Sequence, residues 1–179
     1  TLPQLWQKNT CRSEDEIVPG VFGGSIRSCG SYSLNDVKTI VEHAKLLHIE
    51  VLSEIEIPAH TYALTTILSK TRDPQDTGDE ESVQGYSHNV MNPACPATWE
   101  VITTLIETLV PLFPFAHLHL GGDELPPNSW SGSPLIKTLK DQKGLRTAED
   151  VQGWTMHKAA QIAHKHGARS AVWNEAIRG

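Results

Sequence analysis

The sequence predicts an α/β fold of parallel βα units with long loops at the strand ends, and two observations carry that expectation. Apolar, β-branched runs at residues 49–55, 116–120 and 169–173 alternate with stretches of helical periodicity. The residues able to do chemistry follow the runs directly, at what would be the carboxyl ends of parallel strands.

Residues 1–32 mix Pro, Gly, Ser and charge without a sustained period and read as a long loop with one short turn of helix. Ser33 and Asp36 are spaced as a capping box, and Leu34, Val37, Ile40, Val41, Ala44 and Leu47 recur at helical spacing, so a helix runs to about residue 48. Residues 49–55 suit a strand buried on both faces, ended by Pro58, which has no N–H for the ladder. A short helix follows His60, then a polar, proline-bearing loop over 71–96. Val101, Leu105, Ile106, Leu109 and Leu112 mark the next helix and residues 116–120 the next strand. After a loop over 125–132 come a short helix over 134–140, a longer one from Thr147 to its terminator Gly167, and a strand over 169–173.

With 179 residues, 39% hydrophobic and 20% charged, the composition is that of one globular unit. A net charge of −6 supplies no positive field for a phosphate backbone, so no nucleic-acid partner is expected. No apolar run is long enough to span a bilayer as a helix. The opening Thr1-Leu2-Pro3-Gln4-Leu5-Trp6 lacks the basic and apolar regions of a signal peptide, and the chain reads as a piece of a longer one.

The most informative stretch is His117-Leu118-His119-Leu120-Gly121-Gly122-Asp123-Glu124. Neighbouring side chains of a regular strand point to opposite faces, so Asp123 and Glu124 could not share a pocket if the strand continued through them. Gly121 and Gly122 free the backbone to turn both carboxylates toward one site. Standing alone, an Asp-Glu pair would more simply be a helix cap and a solvated first-turn residue.

This stretch resembles the His-x-Gly-Gly-Asp-Glu signature of family 20 glycoside hydrolases, the β-N-acetylhexosaminidases. Two others agree with it: Glu54-Ile55-Glu56-Ile57-Pro58-Ala59-His60 is similar to the family's Glu-Ile-Asp-Met-Pro-Gly/Ala-His motif, and Trp173-Asn174-Glu175 to its Trp-x-Glu strand. Leu2-Pro3, Cys11, Phe22-Gly23-Gly24 and Asp73-Pro74-Gln75-Asp76-Thr77 resemble the bacterial chitobiases within the family. The resemblance implies part of a (β/α)8 TIM barrel. A whole barrel needs about 250 residues, so the three βα units would be about strands 3 to 5, spanning 1–179 with a loop-rich segment at 1–32.

The resemblance further implies retaining hydrolysis of a terminal N-acetylhexosamine from chitin-derived oligosaccharides or glycans, with the sugar's 2-acetamido oxygen as nucleophile. Glu124 would be general acid and then base, and Asp123 would orient the acetamido group. His60 would support the acid, His119 would stand behind the pair, and Trp173 would wall the acetamido pocket. Glu56 departs from the family's Asp, which leaves it as a brace with altered reach. Glu175 matches its motif but receives no chemical step. Trp130 and Trp6 carry no comparable signal, and Trp99 and Trp154 read as helix packing residues.

Taken alone, His117-x-His119 suits a metal site, but its Asp-Glu continuation is absorbed by the family motif, and neither metal nor organic cofactor is implied. A Cys11–Cys29 bridge and a secreted, periplasmic or cell-envelope location for the full-length protein follow from the resemblance, free thiols being the alternative reading. A three-stranded parallel sheet has two open edges, so self-association as a dimer, marginal stability or an ordered rearrangement is expected. The alternative to an enzyme is a catalytically incompetent piece with a sugar-binding or structural role.

Overall fold

A computed structural model describes residues 2–19, 26–77 and 79–177, so residues 22–24 lie outside the described residues. The chain divides into two compact units, Thr1–Val51 and Leu52–Gly179.

In the first unit, helix α1 (Pro3–Lys8) has proline at its start, where a missing N–H costs nothing. Strands β1 (Cys11–Arg12) and β2 (Ser28–Cys29) pair antiparallel with Cys11 opposite Cys29, and a disulfide joins the two. The Cys11–Cys29 bridge is the one the resemblance implies, while the expected loop with one helical turn is corrected by the short ladder that accompanies the turn. Two-residue strands are too short to show a period in the sequence. Helix α2 (Leu34–Leu46) starts at the expected capping box, with the Asp36 N–H donating to Ser33 Oγ at 3.1 Å and the Ser33 N–H donating to Asp36 Oδ2 at 2.8 Å. The Ser33 hydroxyl, donating to Asp36 Oδ2 at 2.7 Å, and the Ser33 N–H hold the Asp36 carboxyl below the usual carboxylate range. No residue of α2 is buried, although Leu34, Ile40 and Leu46 are apolar.

The second unit holds a parallel sheet in the order β3 (Ser53–Glu54), β4 (His117–His119), β5 (Arg169–Ala171). Glu54 lies opposite His119, and His119 opposite Ala171. Beyond the regular ladder, Ile57 N–H donates to Leu120 O at 3.1 Å and Trp173 N–H to Gly121 O at 2.9 Å, so pairing persists as far as the glycine turn. The strand expected over 49–55, buried on both faces, is corrected to a two-residue ladder beginning at Ser53. Ile49 and Leu52 are exposed, as an edge strand allows.

Helix α3 (Tyr62–Ile67) follows His60 as expected, and residues 71–96 form the long irregular segment. That segment is tied down: Asp73 Oδ2 accepts from Ser133 Oγ at 2.6 Å and from Leu135 N–H at 3.2 Å, and Oδ1 accepts from Gln75 N–H at 3.0 Å. Burial alone would raise the Asp73 pKa, but these hydrogen bonds outweigh it and hold the carboxyl below its ordinary range. Helices α4 (Pro96–Leu109), α5 (Pro134–Lys143) and α6 (Ala148–Lys165) complete the unit, α6 opening with a Thr147/Asp150 capping box.

Ile102 and Ile106 of α4 and Met156, Ala159 and Ala163 of α6 enclose Leu118, Leu120 and Ile57 in the main core. A second cluster joins Val90, Trp130, Ile136, Leu139 and Val151, with Trp130 Nε1 donating to Met91 O at 3.1 Å. Trp99 and Trp154 pack edge to face between α4 and α6, as the helical spacing suggested. Cys95 is buried and free, and burial pushes its thiol up to about 11. Among the described residues, no helix is long and apolar enough to cross a membrane.

Candidate active site

The site is built where β4 stops. Gly121 and Gly122 take φ values of 70° and 95°, the left-handed region that side chains disfavour. Space forbids a side chain as well: a Cβ on Gly121 would fall on the Glu56 carboxylate, and one on Gly122 would sit 2.5 Å from Ala176 Cβ. The turn is braced by the buried Gln152, whose Nε2 donates to Gly122 O at 2.7 Å.

Beyond the turn, Asp123 and Glu124 face one imidazole. His60 Nε2 lies 3.4 Å from Asp123 Oδ2 and 3.3 Å from Glu124 Oε2. His60 and Glu124 both have positive φ, 56° and 47°, conformations held only when their surroundings over-determine them. For Glu124 the determinant is Glu175, whose Oε2 accepts the Glu124 N–H at 2.7 Å across from the end of β5. One ligand-type atom from each of His60, Asp123 and Glu124 lies within 4.8 Å of the others. That convergence is close enough to hold a cation, and it is also what proton exchange requires.

Behind the pair stands a second array. Glu54 Oε1 accepts from Trp173 Nε1 at 3.0 Å and lies 2.9 Å from His119 Nδ1, while the His119 and Trp173 rings meet edge to face at 4.9 Å. His119 Nδ1 is also 3.1 Å from Gly121 N–H. A protonated Nδ1 serves Glu54 and an unprotonated one serves Gly121, so the nitrogen satisfies one at a time. His117 instead stacks on Phe115, its Nδ1 2.8 Å from the Phe115 carbonyl.

Glu56 links the two arrays. Desolvation by burial, then hydrogen bonding with Glu54 and the negative charge of Asp123, push its pKa up from 4.5 to about 8. Glu56 Oε2 and Asp123 Oδ1 are both buried without a hydrogen-bond partner. A proton on Glu56 would supply the missing donor, in keeping with its raised pKa.

The structure therefore brings Glu56, His60, His119, Asp123, Glu124 and Trp173 to one end of the second unit's sheet. Sequence reasoning gave no role to Glu54 and no step to Glu175. Glu54 shares the pleat face of Glu56, a signal that was present but could not reveal its partners 65 and 119 residues away.

A parallel sheet flanked by helices, with a carboxylate pair at the carboxyl end of its middle strand, defines the class: an α/β enzyme-type domain. The chain belongs to glycosyl hydrolase family 20, whose catalytic-domain model matches residues 1–179. It is 30% identical to a β-hexosaminidase of Vibrio furnissii over 181 residues, covering all of this chain and 30% of that protein. It is 31% identical to human β-hexosaminidase subunit beta over 157 residues, covering 82% of this chain and 27% of that one. The structure is similar to that of an exo-β-N-acetylglucosaminidase from Vibrio harveyi in complex with N-acetylglucosamine. That match has a TM-score of 0.93 at 32% identity and covers 99% of this chain and 28% of the other. The chain thus spans less than a third of the length of these relatives.

Proposed function

We propose that this chain is the central part of the catalytic barrel of a β-N-acetylhexosaminidase, its sheet forming about the third to fifth barrel strands. The whole enzyme removes terminal N-acetylhexosamine with retention of configuration. The observation that carries this reading is the Gly121-Gly122 turn, which presents Asp123 and Glu124 to His60 at the end of β4. Similarity to the Vibrio harveyi N-acetylglucosaminidase supports it.

In this scheme Glu124 gives its proton to the glycosidic oxygen as the bond to the anomeric carbon breaks. The 2-acetamido oxygen closes onto that carbon, and Asp123 holds the acetamido N–H and balances the positive charge. Water then opens the ring, losing a proton to Glu124, and the starting state returns. Glu56, as a neutral acid, braces Asp123. His119 fixes Glu54, which fixes the Trp173 indole as a wall for the acetamido methyl. The scheme draws on no metal or organic cofactor. Chitin-derived oligosaccharides are the proposed substrates, and the Cys11–Cys29 bridge supports a secreted, periplasmic or envelope location.

The test is chromophore release from an aryl N-acetyl-β-glucosaminide by the full-length protein and its Glu124→Gln variant. A loss of about 10²- to 10⁴-fold is expected; equal rates would reject the assignment. A second reading, a sugar-binding or structural piece without turnover, is favoured for the isolated chain by the half-exposed Trp173 ring. It predicts no release from the 179-residue chain where the full-length enzyme is active.

A further inference from the structure

We propose that Gln84 and Asn89 fix the tautomer of His60, keeping the ring's single proton on Nε2, where it faces Asp123 and Glu124. The relay starts from a group of fixed polarity. The backbone N–H of Tyr62 only donates, and it lies 2.7 Å from a side-chain amide atom of Asn89, so that atom is the oxygen. The other end of the amide, Nδ2, only donates, and at 3.1 Å it meets Gln84, which must therefore offer its oxygen there. Gln84 Nε2 is then the atom 2.7 Å from His60 Nδ1, and since it only donates, Nδ1 must accept. A neutral imidazole that accepts at Nδ1 carries its proton on Nε2.

The origin of this relay is buried and hydrogen-bonded. Asn89 is 2% exposed, and its carbonyl accepts both the Thr61 N–H at 3.1 Å and Thr61 Oγ1 at 3.2 Å. Its end is poised, because Nε2 is buried between two carboxylates without a formed hydrogen bond.

The inference rests on the acid–base reading of the site and gives His60 a direction within it. With Nε2 already protonated, the imidazole cannot take the proton of Glu124, whose destination is then the leaving oxygen. Once that proton has gone, Nε2–H is a donor for the new carboxylate. Gln84 acts through His60 and is a positioning residue; a carboxylate at position 84 would invert the relay by accepting a proton from Nδ1.

The experiment is ¹⁵N NMR of the chain labelled at histidine, with His60 assigned from its loss in His60→Asn. The expected wild-type signature at neutral pH is an unprotonated, pyridine-type Nδ1 and a protonated, pyrrole-type Nε2. In Gln84→Glu the pyrrole-type signal should appear at Nδ1, and in Gln84→Leu the preference for Nε2 should be lost. A wild-type ring protonated on Nδ1, alone or together with Nε2, overturns the proposal, as does a pattern indifferent to residue 84. The nitrogen signals report the tautomer whether or not any sugar is cleaved, so this inference and the glycosidase reading can fail separately.

Discussion

Glu56 is the carboxyl in the candidate site whose ionisation folding alters. Its folded pKa of about 8 lies above its ordinary value of 4.5, so the folded state holds a proton that the unfolded chain releases. The associated stability is full below about pH 4.5 and is lost as pH rises through about 8. Urea midpoints at about pH 5.5 and about pH 9, on the order of one unit above the lower and upper ends of that window, should therefore fall with pH in the wild type. In Glu56→Gln, which keeps a neutral side chain with a donor, the fall should be smaller; an unchanged pH dependence would show that Glu56 is not the group responsible. Gly121→Ala meets two obstacles, a positive φ and the Glu56 carboxylate. We expect a loss of about 1–3 kcal/mol in stability, measurable by denaturant titration. That Asp123, Glu124, His60 and Trp173 gather at one end of the sheet was legible because each stands in a dense local motif. Glu54, Gln84 and Gln152 were not, since their partners are assigned by folding rather than by spacing.

Among the elements, those with local signatures were readable in advance. Helices α2 and α6 announce themselves by Ser33/Asp36 and Thr147/Asp150, and β4 by alternation running into Gly121. Strand β3 was misplaced because residues 49–52 are as apolar as a buried strand, yet only pairing with β4 decides where the ladder begins. The segment 71–96 is the polar, proline-bearing loop its composition suggests, yet Asp73, Val90, Met91 and Asn92 within it are buried. Its anchor is Asp73, linked to Ser133 and the start of α5. Asp73→Ala should strip three hydrogen bonds and cost about 1–3 kcal/mol, with faster amide exchange over residues 71–77. Because its pKa is depressed, the stability Asp73 contributes is present above its ordinary pKa and disappears as pH falls through the lowered one.

For the whole molecule, the exposed apolar residues set the expectation. Leu34, Ile40 and Leu46 lie bare on α2, and Ile177 is 76% exposed at the far end of the chain. The sheet also ends in two unpaired edges at β3 and β5, which are ordinarily paired or covered, so the isolated chain should self-associate, and sedimentation showing a stable, well-folded monomer would contradict that. In the first unit, the disulfide closes a loop with a sequence separation of 18. Its reduction should weaken that unit by about 3 kcal/mol, read as loss of exchange protection around Cys11 and Cys29. The bond from Glu124 N–H to Glu175 also bears on how such a domain can be dissected. The two residues are 51 positions apart, so the segment bearing Asp123 and Glu124 does not by itself contain what orients its acid. A minimal transplantable module must reach residue 175, and a graft of the Gly-Gly-Asp-Glu turn alone would carry the carboxylate without its aim.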